Sequence, residues 1–247
     1  MFQLRHLVHP VRSVKALCLR LSSGRSPEPG RSANQPLESL PDVPDLFCMY
    51  RTLIAHPELT RRSGGWLYQN TFYPDYLTVG GAGHAIFPEA VKYCRGNGID
   101  VGAGLWPLPG ATPVDLWRGA GTNKCVADFE KDSLDYVFSS HCLEHIETWN
   151  ESLQEWVDRV RLGGTIFLYL PHPDCAIWHP GSPFVGDGHK WIPTPQVIRQ
   201  ALEQMGCVLL RLNEGPDAMC SFFICARKET RNNPASGVTP THDTSGV

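Results

Sequence analysis

Short apolar runs alternate with amphipathic segments from Ile86 to Ala226. Ile86, Ala90, Val91 and Cys94 share one helical face. Gly98 to Val101 reads as an apolar strand running into the turn Gly102-Ala103-Gly104. Val114-Asp115-Leu116 and Cys125 to Phe129 read as second and third short strands. Leu134 to Ser140 is a fourth, with the composition of a buried strand. Leu153, Trp156, Val157 and Val160 then mark a helix that Gly163 and Gly164 are placed to end. Thr165 to Leu170 is a fifth strand. Thr194 is a plausible N-cap, with Pro195 at the first helical position of a helix through Met205. Val208 to Leu212 and Cys220 to Ala226 are the last two strands. Strands alternating with helices predict an α/β fold, a doubly wound and mostly parallel sheet.

The flanks differ. In residues 1–21, Leu4, Leu7, Val8, Val11, Val14, Leu17 and Leu21 recur near helical spacing, interrupted at Pro10, with basic residues between. The reading is an amphipathic arm packed on its own domain or a partner, or else a targeting presequence. A Ser- and Pro-rich linker completes residues 1–44. Residues 45–85 form an extension, with a predicted helix from Asp45 to His56 and an aromatic cluster of Trp66, Tyr68, Phe72, Tyr73 and Tyr76. That cluster is either core packing or a lid over a planar ligand. Residues 86–227 form the predicted α/β domain. Residues 228–247 are polar and read as a disordered tail.

Charge sharpens this division. Lys and Arg total 22 against 25 Asp and Glu, a formal net charge of −3. No acidic residue precedes Glu28, whereas Arg5, Arg12, Lys15, Arg20 and Arg25 do. Setting those five aside leaves 17 basic against 25 acidic residues, about −8. The balance argues against nucleic acid held by overall positive charge, so no nucleic-acid partner is expected. No apolar run reaches transmembrane length. The nine scattered cysteines contain no CxxC pair, which suits reduced thiols in a cytoplasmic protein and not a structural zinc. The basic arm makes a mitochondrial setting the alternative.

The candidate chemistry begins at Asp100-x-Gly102-x-Gly104. Glycines directly after a strand let the backbone approach a ligand that a Cβ would exclude. In a doubly wound sheet such a turn lies at the carboxyl edge, where ligands bind. Asp115, closing the next strand, is placed to accept hydrogen bonds from ribose hydroxyls. Asp128, closing the third, could meet an adenine amino group.

On these pieces the chain resembles the class I S-adenosylmethionine-dependent methyltransferases, of the methyltransferase type 11 kind. The matching residues are Gly98 to Gly104, Val114-Asp115, Ala127-Asp128-Phe129, Leu134 through Ile146, and Arg161 to Ile166. The resemblance spans roughly Ile86 to Arg227. It implies a Rossmann-like sheet of seven strands with the last antiparallel, and S-adenosylmethionine across the carboxyl edge. Asp100, Gly102 and Gly104 would face its amino-acid part, with Ser140 beside them. Asp115 would take the ribose, and Asp128 with the Phe129 backbone the adenine. Two features depart from the family. Trp106 stands where a third glycine is usual, and only about ten residues separate Gly104 from Asp115. A crossover between parallel strands normally needs about a dozen or more. The first crossover helix is therefore shortened or lost.

His141-Cys142-Leu143-Glu144-His145 also fits the H-x-x-E-H zinc peptidase pattern. On a helix its two histidines would share a face, but the site lacks a nameable third protein ligand. No metal is therefore expected. The run from Pro171 to Pro193 is a long loop at the same edge, with His172, Asp174, Trp178, His179, His189, Lys190 and Trp191. Such loops are often lids or binding loops. His141, His172 and His189 are the candidate general bases. Trp178 and Trp191 would stack on an acceptor or anchor the loop. The expected function is methyl transfer from S-adenosylmethionine to a small-molecule or glycan acceptor. The alternatives are a non-catalytic S-adenosylmethionine-binding module and a zinc hydrolase.

Overall fold

The computed structural model describes residues 56–78, 82–104, 106–115 and 124–230. The arm, nearly all of the predicted Asp45–His56 helix and residues 231–247 of the tail lie outside the described residues.

Six strands make the main sheet: β4 (Gly98–Val101), β5 (Thr112–Val114), β6 (Leu134–Ser140), β7 (Val160–Pro171), β8 (Cys207–Asn213) and β9 (Ser221–Lys228). Their order is β5-β4-β6-β7-β9-β8. β5, β4, β6 and β7 are mutually parallel. β9 runs antiparallel to β7, and β8 antiparallel to β9. The mostly parallel sheet with its last strand antiparallel is thus present, with six strands among the described residues where seven were expected. The difference falls at the predicted third strand. Val126–Asp128 is a single 3-10 turn, and the Asp128 carboxylate accepts the Cys125 N–H at 2.8 Å. A side chain that bonds its own backbone in this way competes with a strand ladder.

Alternation along the strands sorts side chains onto two faces. Val137, Ile166, Leu168, Leu170, Phe222 and Ile224 point to one face, against the helices α2 (Trp149–Arg159) and α3 (Pro195–Gln204). Tyr136, Phe138, Phe167, Tyr169 and Phe223 point to the other, against α1 (Ala82–Ala90). Phe167 and Phe223 stack at 5.4 Å. α2 buries Leu153, Trp156 and Val157, and α3 buries Ile198, Ala201 and Leu202, each at i, i+3, i+4. The Thr194 side chain accepts the Val197 N–H at 3.2 Å with Pro195 at the first helical position, as its sequence predicts.

Two boundaries differ from the sequence pattern. α1 starts at Ala82 and ends at Ala90, so Val91, expected to face inward, is exposed. α2 ends at Arg159, and Gly163 and Gly164 lie within β7 instead of closing the helix. They belong to a bulge between the Leu134–Val160 and Tyr136–Thr165 pairs, where Arg161 bonds Asp135 at 2.6 Å. A Cβ on Gly164 would lie 2.7 Å from the Asp135 carbonyl oxygen, which is why that position is glycine.

The first crossover carries no helix among its described residues. After β4 the chain turns through Gly102 and Gly104, both at positive φ, and reaches β5 by Leu108, which is buried between the sheet and α1. The aromatic segment is a small antiparallel sheet of β1 (Thr60–Arg62), β2 (Gly65–Tyr68) and β3 (Thr71–Pro74). Trp66, Tyr68 and Tyr73 are buried there with Ile177 of the long loop after β7. These three aromatics are core packing and brace that loop, whereas Phe72 and Tyr76 of the same cluster are exposed.

Lys228 ends β9 with its ammonium buried. It donates to Asp132 Oδ1 at 2.9 Å and to the carbonyls of Val157 and Val160 at 3.0 and 2.8 Å, closing the end of α2. Lys228→Met keeps the apolar stem and removes all three bonds. It is expected to cost about 2–4 kcal/mol, read from the urea midpoint. An unchanged midpoint would reject this role.

Candidate functional site

Parallel register brings the carboxyl ends of β4, β5, β6 and β7 to one edge of the sheet. Gly102, Gly104, Asp115, Ser140, His141 and His172 therefore come together from four strand ends. Gly102 has φ +78, and a Cβ there would lie 2.5 Å from Cys142 Cβ. Gly104 has φ +54 with open space around its missing side chain. The first glycine thus lets the β6 turn close in, and the second leaves bare backbone with open space beside it. The Gly104 N–H donates to Asp115 Oδ2 at 2.7 Å, so the β5 acid also shapes the turn.

Asp100 is buried beneath this turn and accepts the Leu108 N–H at 2.7 Å. Burial pushes its carboxyl up to about 7, against that hydrogen bond and with a further push from Asp115. Its main structural work is to hold the helix-free crossover. Trp106 is nearly half exposed, its ring 5.5 Å from that of His84 on α1. Asp128 caps its own 3-10 turn, and Phe129 packs on the core beside α2, with the Lys124 ammonium 5.3 Å from its ring centroid. Ser140 closes β6 opposite Gly83, where a Cβ would lie 3.4 Å from Ser140 Oγ.

The three candidate bases part company. His172 is buried with both ring nitrogens tied to backbone. Its Nε2–H donates to the Glu214 carbonyl at 2.7 Å, and its Nδ1 accepts the Asp174 N–H at 3.1 Å. This is a structural histidine, not a free base. His141 sits at φ +49 just past β6, its Nε2–H donating to Ser221 Oγ at 2.9 Å. That direction follows because Ser221 gives its own proton to the Met219 carbonyl. His189 is buried and donates Nδ1–H to the Trp178 carbonyl at 2.6 Å. Burial pushes it down to about 4, against the attraction of Glu144, so it is neutral at pH 7.

His141 and His189 meet a residue that the sequence offered only within the H-x-x-E-H run. Glu144 is fully buried, and neither carboxylate oxygen has a hydrogen-bond partner. His141 Nδ1, His189 Nε2 and His145 Nε2 lie 3.4, 3.8 and 4.0 Å from its Oε1. Burial opposes ionisation of Glu144, and its carboxyl is lowered only insofar as positive charge among these imidazoles, His141 first, offsets that cost. The run is not helical as the peptidase pattern requires, since Leu143–His145 is one 3-10 turn. The long loop is pinned onto this turn. The Lys190 N–H donates to the Glu144 carbonyl at 2.7 Å, and Trp191 Nε1 to the Leu143 carbonyl at 3.0 Å. Trp191 stacks on Trp149 at 4.4 Å and is an anchor. Trp178 lies with its ring 6.1 Å from His141, its buried Nε1 without a partner.

Residues 83–168 match the family model described as a methyltransferase domain. No curated protein matches the chain. Three solved structures illustrate its likenesses. The first is a complex between the Haloferax volcanii Trm112 methyltransferase activator and a putative methyltransferase. There the identity is 13%, over 63% of this chain and 95% of that one, with TM-score 0.46. A putative S-adenosylmethionine-dependent methyltransferase from Listeria monocytogenes is 17% identical over 60% of this chain and 100% of its own, TM-score 0.45. The Burkholderia thailandensis 1,6-didemethyltoxoflavin-N1-methyltransferase, with bound 1,6-didemethyltoxoflavin and S-adenosylhomocysteine, is 16% identical over 63% and 82%, TM-score 0.47. The matched segment runs from α1 through the glycine turn and Asp115 to β7. Over that segment the chain is similar to a methyltransferase domain.

Asp100 supplies a pH test. Its folded pKa of about 7 exceeds the unfolded value of about 3.9, so the folded state holds the proton more tightly. Its contribution is full below about pH 4 and is lost as pH rises toward 7, on the order of 4 kcal/mol. Asp100→Asn should keep the Leu108 bond and remove this slope. Urea titrations across that range should show wild type losing stability relative to the variant, and parallel curves would contradict the assignment.

Proposed function

We propose that this methyltransferase-type domain binds S-adenosylmethionine across the glycine turn and moves its methyl group to an oxygen or nitrogen of a small-molecule or glycan acceptor. The observation that carries the reading is the bare backbone at Gly104 beside the Asp115 carboxylate. When bound, the donor supplies an electrophilic methyl on a sulfonium sulfur.

The chain's own residues supply position. Gly102 and Gly104 admit the donor's amino-acid part against backbone, with Ser140 beside it. Asp115 would take the ribose, and Asp128 with the Phe129 backbone the adenine. Holding acceptor and methyl in line supplies much of the acceleration of a displacement. Where the acceptor must lose a proton, His141 is the most accessible of the three candidate bases, although its Nδ1 faces Glu144 Oε1 at 3.4 Å. Its side chain is 19% exposed, against 7% for His172 and 4% for His189. Trp178 offers an aromatic face next to it. The absence of an overall basic charge favours small acceptors over nucleic acid. The scattered cysteines favour a cytoplasmic setting; no described helix is long and apolar enough to cross a membrane.

Isothermal calorimetry with S-adenosylmethionine and S-adenosylhomocysteine tests the donor site directly. Binding of either by the folded protein is expected, and Asp115→Ala should weaken it at least about tenfold, the loss of one charge-assisted hydrogen-bonding group. No binding of either ligand would sink the proposal, and unchanged affinity in Asp115→Ala would reject the ribose role. Turnover on no acceptor of a broad panel, with binding intact, would favour a binding module that has lost catalysis. The helix-free first crossover motivates that second reading.

A further inference from the structure

The geometry points to a binding site for a divalent first-row transition metal ion, with zinc as the natural occupant, formed by Glu144, His145 and His189. One ligand atom from each lies within 4.8 Å of the others. The decisive feature is which nitrogens carry protons. His145 Nδ1 faces the Gly188 carbonyl at 3.0 Å, and His189 Nδ1 faces the Trp178 carbonyl at 2.6 Å. A carbonyl can only accept, so both Nδ1 atoms are protonated. In the neutral rings each Nε2 then presents a bare lone pair toward the Glu144 carboxylate, at 4.0 and 3.8 Å. His141 repeats the pattern, with Nε2–H on Ser221 and Nδ1 toward the same oxygen at 3.4 Å.

Lone pairs aimed at a buried anion repel it, and a cation must resolve the arrangement. A proton on either His145 or His189 would draw the ring into a charge-assisted hydrogen bond of about 2.7–2.9 Å. The observed gaps exceed that by about an ångström. They lie closer to the edge of a tetrahedral site, about 3.4 Å for bonds of about 2.1 Å. Backbone carbonyls on the distal nitrogens are also what metal-bound imidazoles use to fix their tautomer. Two imidazoles with a carboxylate suit zinc, iron, cobalt or manganese better than magnesium or calcium, which prefer all-oxygen shells. The carboxylate without any hydrogen-bond partner is the independent sign that something is meant to bind there.

The site is distinct from the donor pocket, and its test does not depend on methyl transfer. Purified full-length protein, analysed by plasma mass spectrometry, should retain close to one zinc per chain. After chelation it should take up one equivalent of zinc or cobalt, seen by calorimetry and by cobalt's visible ligand-field bands. Glu144→Gln and His189→Ala should each weaken uptake at least about a hundredfold, the loss of one of three ligands. His84→Ala, outside the cluster, should leave it unchanged. Circular dichroism checks that each variant is folded. Folded wild-type protein that neither retains nor rebinds zinc, cobalt or manganese would overturn the proposal, whatever the variants do. So would stoichiometric zinc that survives both Glu144→Gln and His189→Ala. Calorimetry with S-adenosylhomocysteine on the same samples separates this failure from failure of the donor site.

Discussion

Taking a carboxylate out of water costs several kcal/mol unless charge or hydrogen bonds replace its hydration. Glu144 is wholly buried and its carboxylate makes no hydrogen bond, so it depends on what the three surrounding imidazoles hold in common. Those imidazoles come from different parts of the chain. His141 and His145 flank the turn after β6, whereas His189 arrives from a loop more than forty residues later. Seating them fixes the loop. Lys190 and Trp191 bond the same turn, and the buried aromatics of the small β1–β3 sheet close over Ile177 behind it. The β1–β3 sheet is thus tied to the carboxyl edge through the loop that seats one buried charge.

The donor side of the edge is held by different means. With no helix in the described first crossover, Asp100 takes over part of that helix's work by holding Leu108, and Asp115 holds Gly104. Two acids proposed to serve the donor therefore also fold the glycine turn. Cys142, pressed against Gly102, links this turn to the one that carries Glu144. The glycine turn and the histidine cluster are therefore neighbours, joined across the β6 turn.

Much of this was legible in the sequence, and its limits have physical reasons. The strands at Gly98, Leu134, Thr165, Val208 and Cys220 announced themselves because buried β-strands concentrate branched and aromatic residues. The Thr194-Pro195 cap did so because capping is local. Cys125 to Phe129 has strand composition, yet Asp128 bonds its own turn and no strand forms there. Gly163 and Gly164 looked like a helix stop and instead form a bulge, since only the pairing of β6 with β7 shows that Asp135 needs the space. The glycine turn and Asp115 were visible by spacing. The partnership of Glu144 with His189 was not, because no periodicity connects residues that only the closed loop brings together. His172 shares the sequence setting of the other loop histidines, and only its two backbone bonds set it apart.

The most direct test of the whole account is a crystal structure of the full chain with S-adenosylhomocysteine, with data collected across the zinc absorption edge. The account predicts the ligand's amino-acid end over Gly102 and Gly104, its ribose at Asp115, and an anomalous peak among Glu144, His145 and His189. A ligand bound away from the β4 turn would contradict the donor site. A well-ordered cluster with no anomalous peak from zinc-supplemented crystals would contradict the metal.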